Sequence, residues 1–551
     1  MIFKLGILLP TLLLVGAFSG CGGINSSSQT KDLNPGPDSN IGVPGWDKTI
    51  DETLVEEITV LPNTYVPKGV NVYLFGKSTD SFNNWRFVID LYKEIHEINV
   101  SENLEPTIGK PTITRDDLYN QEITLIVMFN KGRRADYDLL VKTIDATLSI
   151  EDPNYNGKLS LAPMETDKPD GEDLWIQDFG EFASAKITGL ADPVYLVVDT
   201  FRNENRDVYS PEVYRDLLGI PLVKLGMDTG NSAQYGGNIE VTPNGIVYIG
   251  DSVDDPTYSA ANLPSPLYDI FVEKGNPDAI KIESDWLAVG HVDEYMTYIP
   301  SNKACDSTLV WGSTLMALKV ILEEASNAEY QMFAEELATV PIGRDKTGKN
   351  IAIETLLTKA DLITALNYFR KDGGAAPGVS ANLDDYDFTK ATKAITGLSD
   401  VEYLPFDTVM GVIRKTDSFA KFYIYRNLYA ERSVQESVKK VMDVATCKQV
   451  EMIPQAFLPN FYVDGVKNFG LWSKDSAHLP GMTNALVLRN HVIFPDPWVS
   501  RLREMVSNTL SPHLGSPETI HFVDDAIYHF NLGEVHCATN VVREMDMPFT
   551  Y

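Results

Sequence analysis

The chain has 551 residues, 44% apolar and 22% charged, and a formal net charge of −31. These values allow a sizeable core in one large α/β domain with an appendage, or in two to four units. The acidity argues against a nucleic-acid partner, because a phosphate backbone needs a basic footprint; it fits cationic substrates, calcium or a soluble extracellular surface.

The N-terminus opens with the basic stretch Met1–Lys4, continues with the apolar run Leu5–Phe18, and reaches Ser19, Gly20 and Cys21. This predicts a lipoprotein signal over residues 1–20, cleaved before Cys21, whose thiol is then acylated. The run is shorter than the roughly 20 residues a bilayer span needs. Residues 21–45, rich in Ser, Asn, Gly, Pro and Asp, read as a flexible tether. Residues 46–115, with Asn71–Phe75 and a mixed stretch at Trp85–His96, read as a small, partly β N-terminal module. Exported and anchored through Cys21, the chain is expected at the outer membrane or cell surface.

An α/β rhythm runs through residues 116–551. Ile123–Phe129 is a continuous apolar run of strand length. Tyr137, Leu140, Ile144 and Leu148 recur at helical spacing. Val194–Val198, Ile246–Ile249 and Ala485–Leu488 read as strands; residues 310–372 and Ser433–Val444 read as mainly helical. Of the four cysteines, three remain once Cys21 is acylated, so at least one thiol is free. Cys305 and Cys447 have no context that lifts them above small buried side chains.

Four segments concentrate reactive side chains: Asp173–Glu181, Gly236–Glu240, Gly290–Glu294 and Gly533–Asn540. A cysteine is a nucleophile only as thiolate, and an imidazolium favours that form. His536 is adjacent to Cys537, but neighbours on a strand face opposite ways, so His291 is the better partner. On a strand, His291 and Asp293 would share a face. Acids beside a thiolate are costly unless the substrate brings the positive charge. A guanidinium does: it is planar, always charged, and paired by carboxylates through its fork of donors. These parts suit amidine hydrolysis better than peptide cleavage, which wants an oxyanion hole and one oriented His.

The segments resemble the catalytic domain of the peptidylarginine deiminases. Trp175-Ile176-Gln177-Asp178, Gly290-His291-Val292-Asp293-Glu294 and Gly533-Glu534-Val535-His536-Cys537-Ala538-Thr539-Asn540 occur in the family's order, with Ile453-Pro454-Gln455, Leu486–Leu488 and Phe494-Pro495-Asp496-Pro497 also similar. The likeness runs patchily over residues 120–545 and is weak over 301–445. It implies an α/β propeller of ββαβ units over residues 116–551, and hydrolysis of peptide or protein arginine to citrulline and ammonia through a thiouronium on Cys537. His291 would be the general acid/base, Asp178 and Asp293 would grip the guanidinium, and Trp175 would wall its aliphatic stem. Arg202 would hold substrate backbone, with Arg206 standing in for a second arginine at the position occupied by Glu204. Calcium is implied at Gln177, Glu181 and Glu240 with backbone oxygens of Gly236 and Ile239. A neighbouring site would use Asp199, Thr200 and Asn203 but has Phe179 where the family has an acid. Two alternatives stay open: a deiminase or amidinotransferase of free arginine or another small guanidine, and a non-catalytic lipoprotein that binds cationic ligands or calcium. A papain-like thiol protease is weaker, since there the Cys precedes the His.

Overall fold

The computed structural model describes residues 49–80, 82–104, 122–166, 174–199, 214–215, 218–225, 235–251, 266–324, 419–460, 474–529 and 531–548. Cys21 with its signal and tether, Arg202, Arg206, Thr200, Asn203 and residues 325–418 lie outside them. Among the described residues no helix is long and apolar enough to cross a membrane.

The apolar run at 123–129 becomes the strand Thr124–Asn130, buried along almost its whole length. It lies parallel between Tyr65–Tyr73 and Leu161–Thr166. Helix Trp85–Ser101 packs on it through Phe87, Val88, Leu91, Tyr92, Ile95 and Ile98, an apolar stripe at helical period. Helix Arg134–Glu151 buries Tyr137, Leu140, Ile144 and Leu148, the residues whose spacing predicts it. Each fully buried side chain of this size contributes roughly 1.5–3 kcal/mol.

One pattern recurs five times: two antiparallel strands, the second of which is paired in parallel with a third. Four units follow in chain order. They are Glu181–Ile187, Val194–Asp199 and Leu222–Lys224; Ile239–Val241, Val247–Asp251 and Ile280–Glu283; Met296–Pro300, Ser307–Ser313 and Val450–Pro454; and Leu486–Leu488, His491–Pro495 and Ile520–Val523. Parallel neighbours need a crossover. It runs through Pro266–Lys274, through Thr314–Glu324 and Phe419–Val444, and through Ser500–Leu514 in the last three. The remaining unit joins the two ends of the chain: Thr539–Pro548 pairs antiparallel with Tyr65–Tyr73, which crosses through Trp85–Ser101 to Thr124–Asn130. The fold is therefore the expected α/β propeller of ββαβ units.

The expected separate module at 46–115 is corrected by this closure. Tyr65–Tyr73 is an interior strand of a propeller unit, and Val55–Val60 pairs with Glu181–Ile187. A strand flanked on both sides belongs to the sheet that satisfies its backbone, here a sheet built largely from the catalytic domain. Two other features brace the frame. Cys305 and Cys447 form a disulfide, Cα–Cα 5.9 Å, beside the parallel pair Ser307–Ser313 and Val450–Pro454. Arg426 on the long helix clasps buried Asp475 with Nε 2.8 Å from both carboxylate oxygens and Nη2 2.7 Å from Oδ2.

Candidate active site

A tight turn stands directly ahead of the first strand of every unit: Ile176–Phe179, Gly236–Asn238, Val292–Glu294, Gly481–Asn484 and Glu534–Ala538. Equivalent positions in a closed propeller face a common centre. The first three turns touch in series, and the last two are bonded to each other. The site is built from these five turns.

The segment around Cys537 is not a strand. The Ala538 N–H donates to the Glu534 carbonyl (3.0 Å) and the Thr539 N–H to the His536 carbonyl (3.0 Å). The alternation that turned His536 away from the pocket therefore does not apply. His536 Nδ1 lies 2.8 Å from Asp293 Oδ2, and the same oxygen is 3.7 Å from Cys537 Sγ. His291 and Asp293 are likewise not on a strand. His291 caps the 3-10 turn Val292–Glu294, and Glu294 accepts the N–H groups of Gly290 (3.0 Å) and His291 (2.9 Å). The turn still aims both side chains at one place. A Cβ on Gly237 would lie 2.7 Å from His291 Nδ1 and 3.0 Å from Asp293 Oδ2, so glycine there admits both. Asp178 Oδ1 is 3.8 Å from His291 Nδ1 and accepts the Gly237 N–H at 3.3 Å. Thus Asp178, His291, Asp293 and Cys537, from three distant segments, share one buried cluster. Trp175 packs its ring on Gly533, where a Cβ would come within 2.3 Å of it.

Sequence reasoning missed Asn484. Its Nδ2 donates to Cys537 Sγ (3.2 Å), its Oδ1 accepts the Cys537 N–H (3.1 Å) and its carbonyl accepts the His536 N–H (3.2 Å). A signal was present: Asn484 immediately precedes the apolar strand at 485–488, as Asp178, Asn238 and Asp293 precede theirs.

The electrostatics favour a cationic guest. Burial, then the charges of Asp293 and Asp178, push the Cys537 thiol well above its ordinary range. Burial opposes a charged His536, but the hydrogen bond and charge of Asp293 outweigh it and hold its pKa above the usual value. A planar cation between the two carboxylates would reverse the penalty on the thiolate. The cluster can therefore orient a guanidinium and attack its central carbon.

Gln177, Glu181 and Glu240 come together beside this cluster. Gln177 Nε2 donates to Glu181 Oε1 (2.8 Å), and Asn63 Nδ2 donates to Glu240 (3.1 and 3.3 Å). Burial, then Glu240, raises Glu181 well above its ordinary value; burial pushes Glu240 up to about 7. A Cβ on Gly236 would meet the Gln177 carbonyl at 2.3 Å and Glu181 Oε1 at 2.5 Å. The Gly236 carbonyl accepts the Ile239 N–H. Two mutually repelling carboxylates, Glu240 buried and Glu181 half-buried, among amide and carbonyl oxygens suit a hard dication. Of the neighbouring set, Thr200 and Asn203 lie outside the described residues; Phe179 is buried in the apolar core and Asp199 faces Lys224 at 3.5 Å.

The family model "Protein-arginine deiminase (PAD)" matches residues 111–372 and 421–549. The chain belongs to the protein-arginine deiminase family. It is 23% identical over 430 residues to human protein-arginine deiminase type-1, covering 73% of this chain and 51% of that protein. It is 25% identical over 415 residues to human type-4, covering 72% and 49%. The chain thus spans about half the length of the curated relatives it matches. Agmatine deiminase of C. jejuni aligns with a TM-score of 0.38 at 12% identity, over 88% of this chain and 96% of that one.

Proposed function

We propose that this chain hydrolyses the guanidinium of peptide or protein arginine to citrulline and ammonia. The observation that carries the reading is a buried thiol facing two carboxylates, Sγ to Asp293 Oδ2 3.7 Å, whose charges both disfavour its thiolate. Such a site is poorly built for a neutral substrate and well built for a cation.

Asp178 and Asp293 receive the guanidinium N–H groups and set the carbon over Sγ. The incoming charge favours the thiolate: Sγ passes its proton to His291 and attacks the central carbon. The tetrahedral adduct expels one nitrogen as ammonia, protonated by His291, and leaves a thiouronium on Cys537. Water, deprotonated by His291, attacks that carbon; the C–S bond breaks, the thiol is restored and citrulline leaves. Asn484 Nδ2 donates to the sulfur and stabilises its anionic form. Trp175 walls the aliphatic stem, and Arg202 and Arg206 hold substrate backbone.

Calcium is part of this proposal. Gln177, Glu181 and Glu240 would hold it, with backbone oxygens near Gly236 and Ile239, and it would supply positive charge against that acidic pair. Export and anchoring through Cys21 are proposed as well, and the Cys305–Cys447 disulfide supports an oxidising compartment. The test is citrulline release from a blocked arginine ester and from free arginine, with and without calcium. Release only from free arginine would move the substrate to a small guanidine, a reading that Glu204 at the second arginine position favours.

A further inference from the structure

Behind the nucleophile lies a pair of carboxyls that the chemistry above does not use. Glu534 precedes Cys537 by three residues, and its carbonyl closes the turn around the nucleophile by accepting the Ala538 N–H at 3.0 Å. Its side chain reaches the opposite way. Oε1 accepts the Gly481 N–H at 2.9 Å and lies 2.7 Å from His529 Nδ1. Gly481 opens the turn that carries Asn484, closed by the Asn484 N–H on the Gly481 carbonyl at 2.9 Å. One carboxyl therefore ties the turn that carries Cys537 to the turn that carries Asn484, whose Nδ2 donates to the sulfur at 3.2 Å.

A count of donors gives the form of that carboxyl. Asp525 is 0% and Glu534 5% exposed. Asp525 Oδ1 and Oδ2 and Glu534 Oε2 receive no hydrogen bond from the described residues, and the Asp525 carboxyl lies against that of Glu534. Ionised carboxylates only accept, so two of them side by side need a proton between them. Burial acts the same way, pushing Glu534 up to about 8 and Asp525 well above its ordinary range.

We propose that Glu534, joined to Asp525 through a shared proton, is a positioning residue that holds the Gly481–Asn484 turn, and with it the Asn484 Nδ2 donor, on Cys537 Sγ, acting as a neutral acceptor for Gly481 and not as a charge. The kinetic half of this inference rests on the deiminase reading; the thiol half does not. An amide should then replace either acid, since its N–H takes the place of the shared proton.

The experiment measures two things on the full chain: iodoacetamide alkylation of Cys537, followed by mass spectrometry of its peptide, and kcat and KM on a blocked arginine ester. Glu534→Gln and Asp525→Asn are expected within about threefold of the parent in both. Glu534→Ala is expected to lose about tenfold or more in alkylation rate and in kcat, with KM little changed. Loss in either amide variant as large as in Glu534→Ala overturns the inference, as does parental alkylation in Glu534→Ala. Should Glu534→Ala not fold, the two amide variants decide alone. A parent protein that alkylates but releases no citrulline defeats the deiminase reading, while the positioning role is still judged on alkylation.

Discussion

Asn484 holds Cys537 from both ends: its side-chain amide donates to Sγ at 3.2 Å and accepts the Cys537 backbone N–H at 3.1 Å. The nucleophile is thereby fixed in position and given a donor aimed at its charge. Asn484→Ala removes both contacts. Loss of one such donor costs about 10²–10³ in kcat, and a fall of that order is expected in steady-state citrulline assays with KM little changed. An unaltered kcat would show that the contact is packing only.

Asp293 and Asp178 raise the Cys537 thiol through their charge. Asp293→Asn should therefore lower the thiol pKa and speed alkylation of Cys537. The same change removes a buried charge contact to the guanidinium, of about 2–5 kcal/mol, so kcat/KM for citrulline formation should fall by about 30-fold or more. The two readouts are expected to move in opposite directions. Parallel losses would mean that the carboxylate serves the thiolate and not the substrate.

Much of this pairing was legible before any coordinates. His291, Asp293, Asp178 and Cys537 are short motifs whose residue types only make joint sense around a cation. Their local geometry was not legible. Strand alternation predicts side-chain direction only on a strand, and the turns at 292–294 and 534–538 rotate His536 toward Asp293 instead of away. The closing strand Tyr65–Tyr73 was read as part of a separate module because its partner, Thr539–Pro548, lies at the other end of the sequence. No local period reports a pairing over that distance. Helix Arg134–Glu151, by contrast, rests on its own spacing and was readable residue by residue.

Glu534 gives a pH test of stability. Burial raises its folded pKa to about 8, above its ordinary 4.5. A raised acid contributes stability that is complete below the unfolded pKa and lost as pH rises through the folded one. Glu534→Gln has no such titration, so its melting temperature relative to the parent should climb between about pH 5 and about pH 9. Parallel melting curves across that range would contradict the shared-proton state.

The Cys305–Cys447 bridge encloses a sequence separation of 142 residues. Replacing both cysteines with serine is expected to cost about 2–4 kcal/mol in urea unfolding. The bridge lies beside the strands of one unit and away from the five turns, so kcat of the folded variant should stay close to the parent value. An unchanged unfolding midpoint would show that the bridge adds no net stability.

The central claim is that Cys537 attacks a guanidinium. The most direct measurement is citrulline formed from a blocked arginine ester by the parent protein and by Cys537→Ala, across a calcium titration. Citrulline from the parent, rising with calcium and absent in Cys537→Ala, is the predicted result. Citrulline formed equally by Cys537→Ala, or none from the parent at any calcium level with either blocked or free arginine, would contradict it.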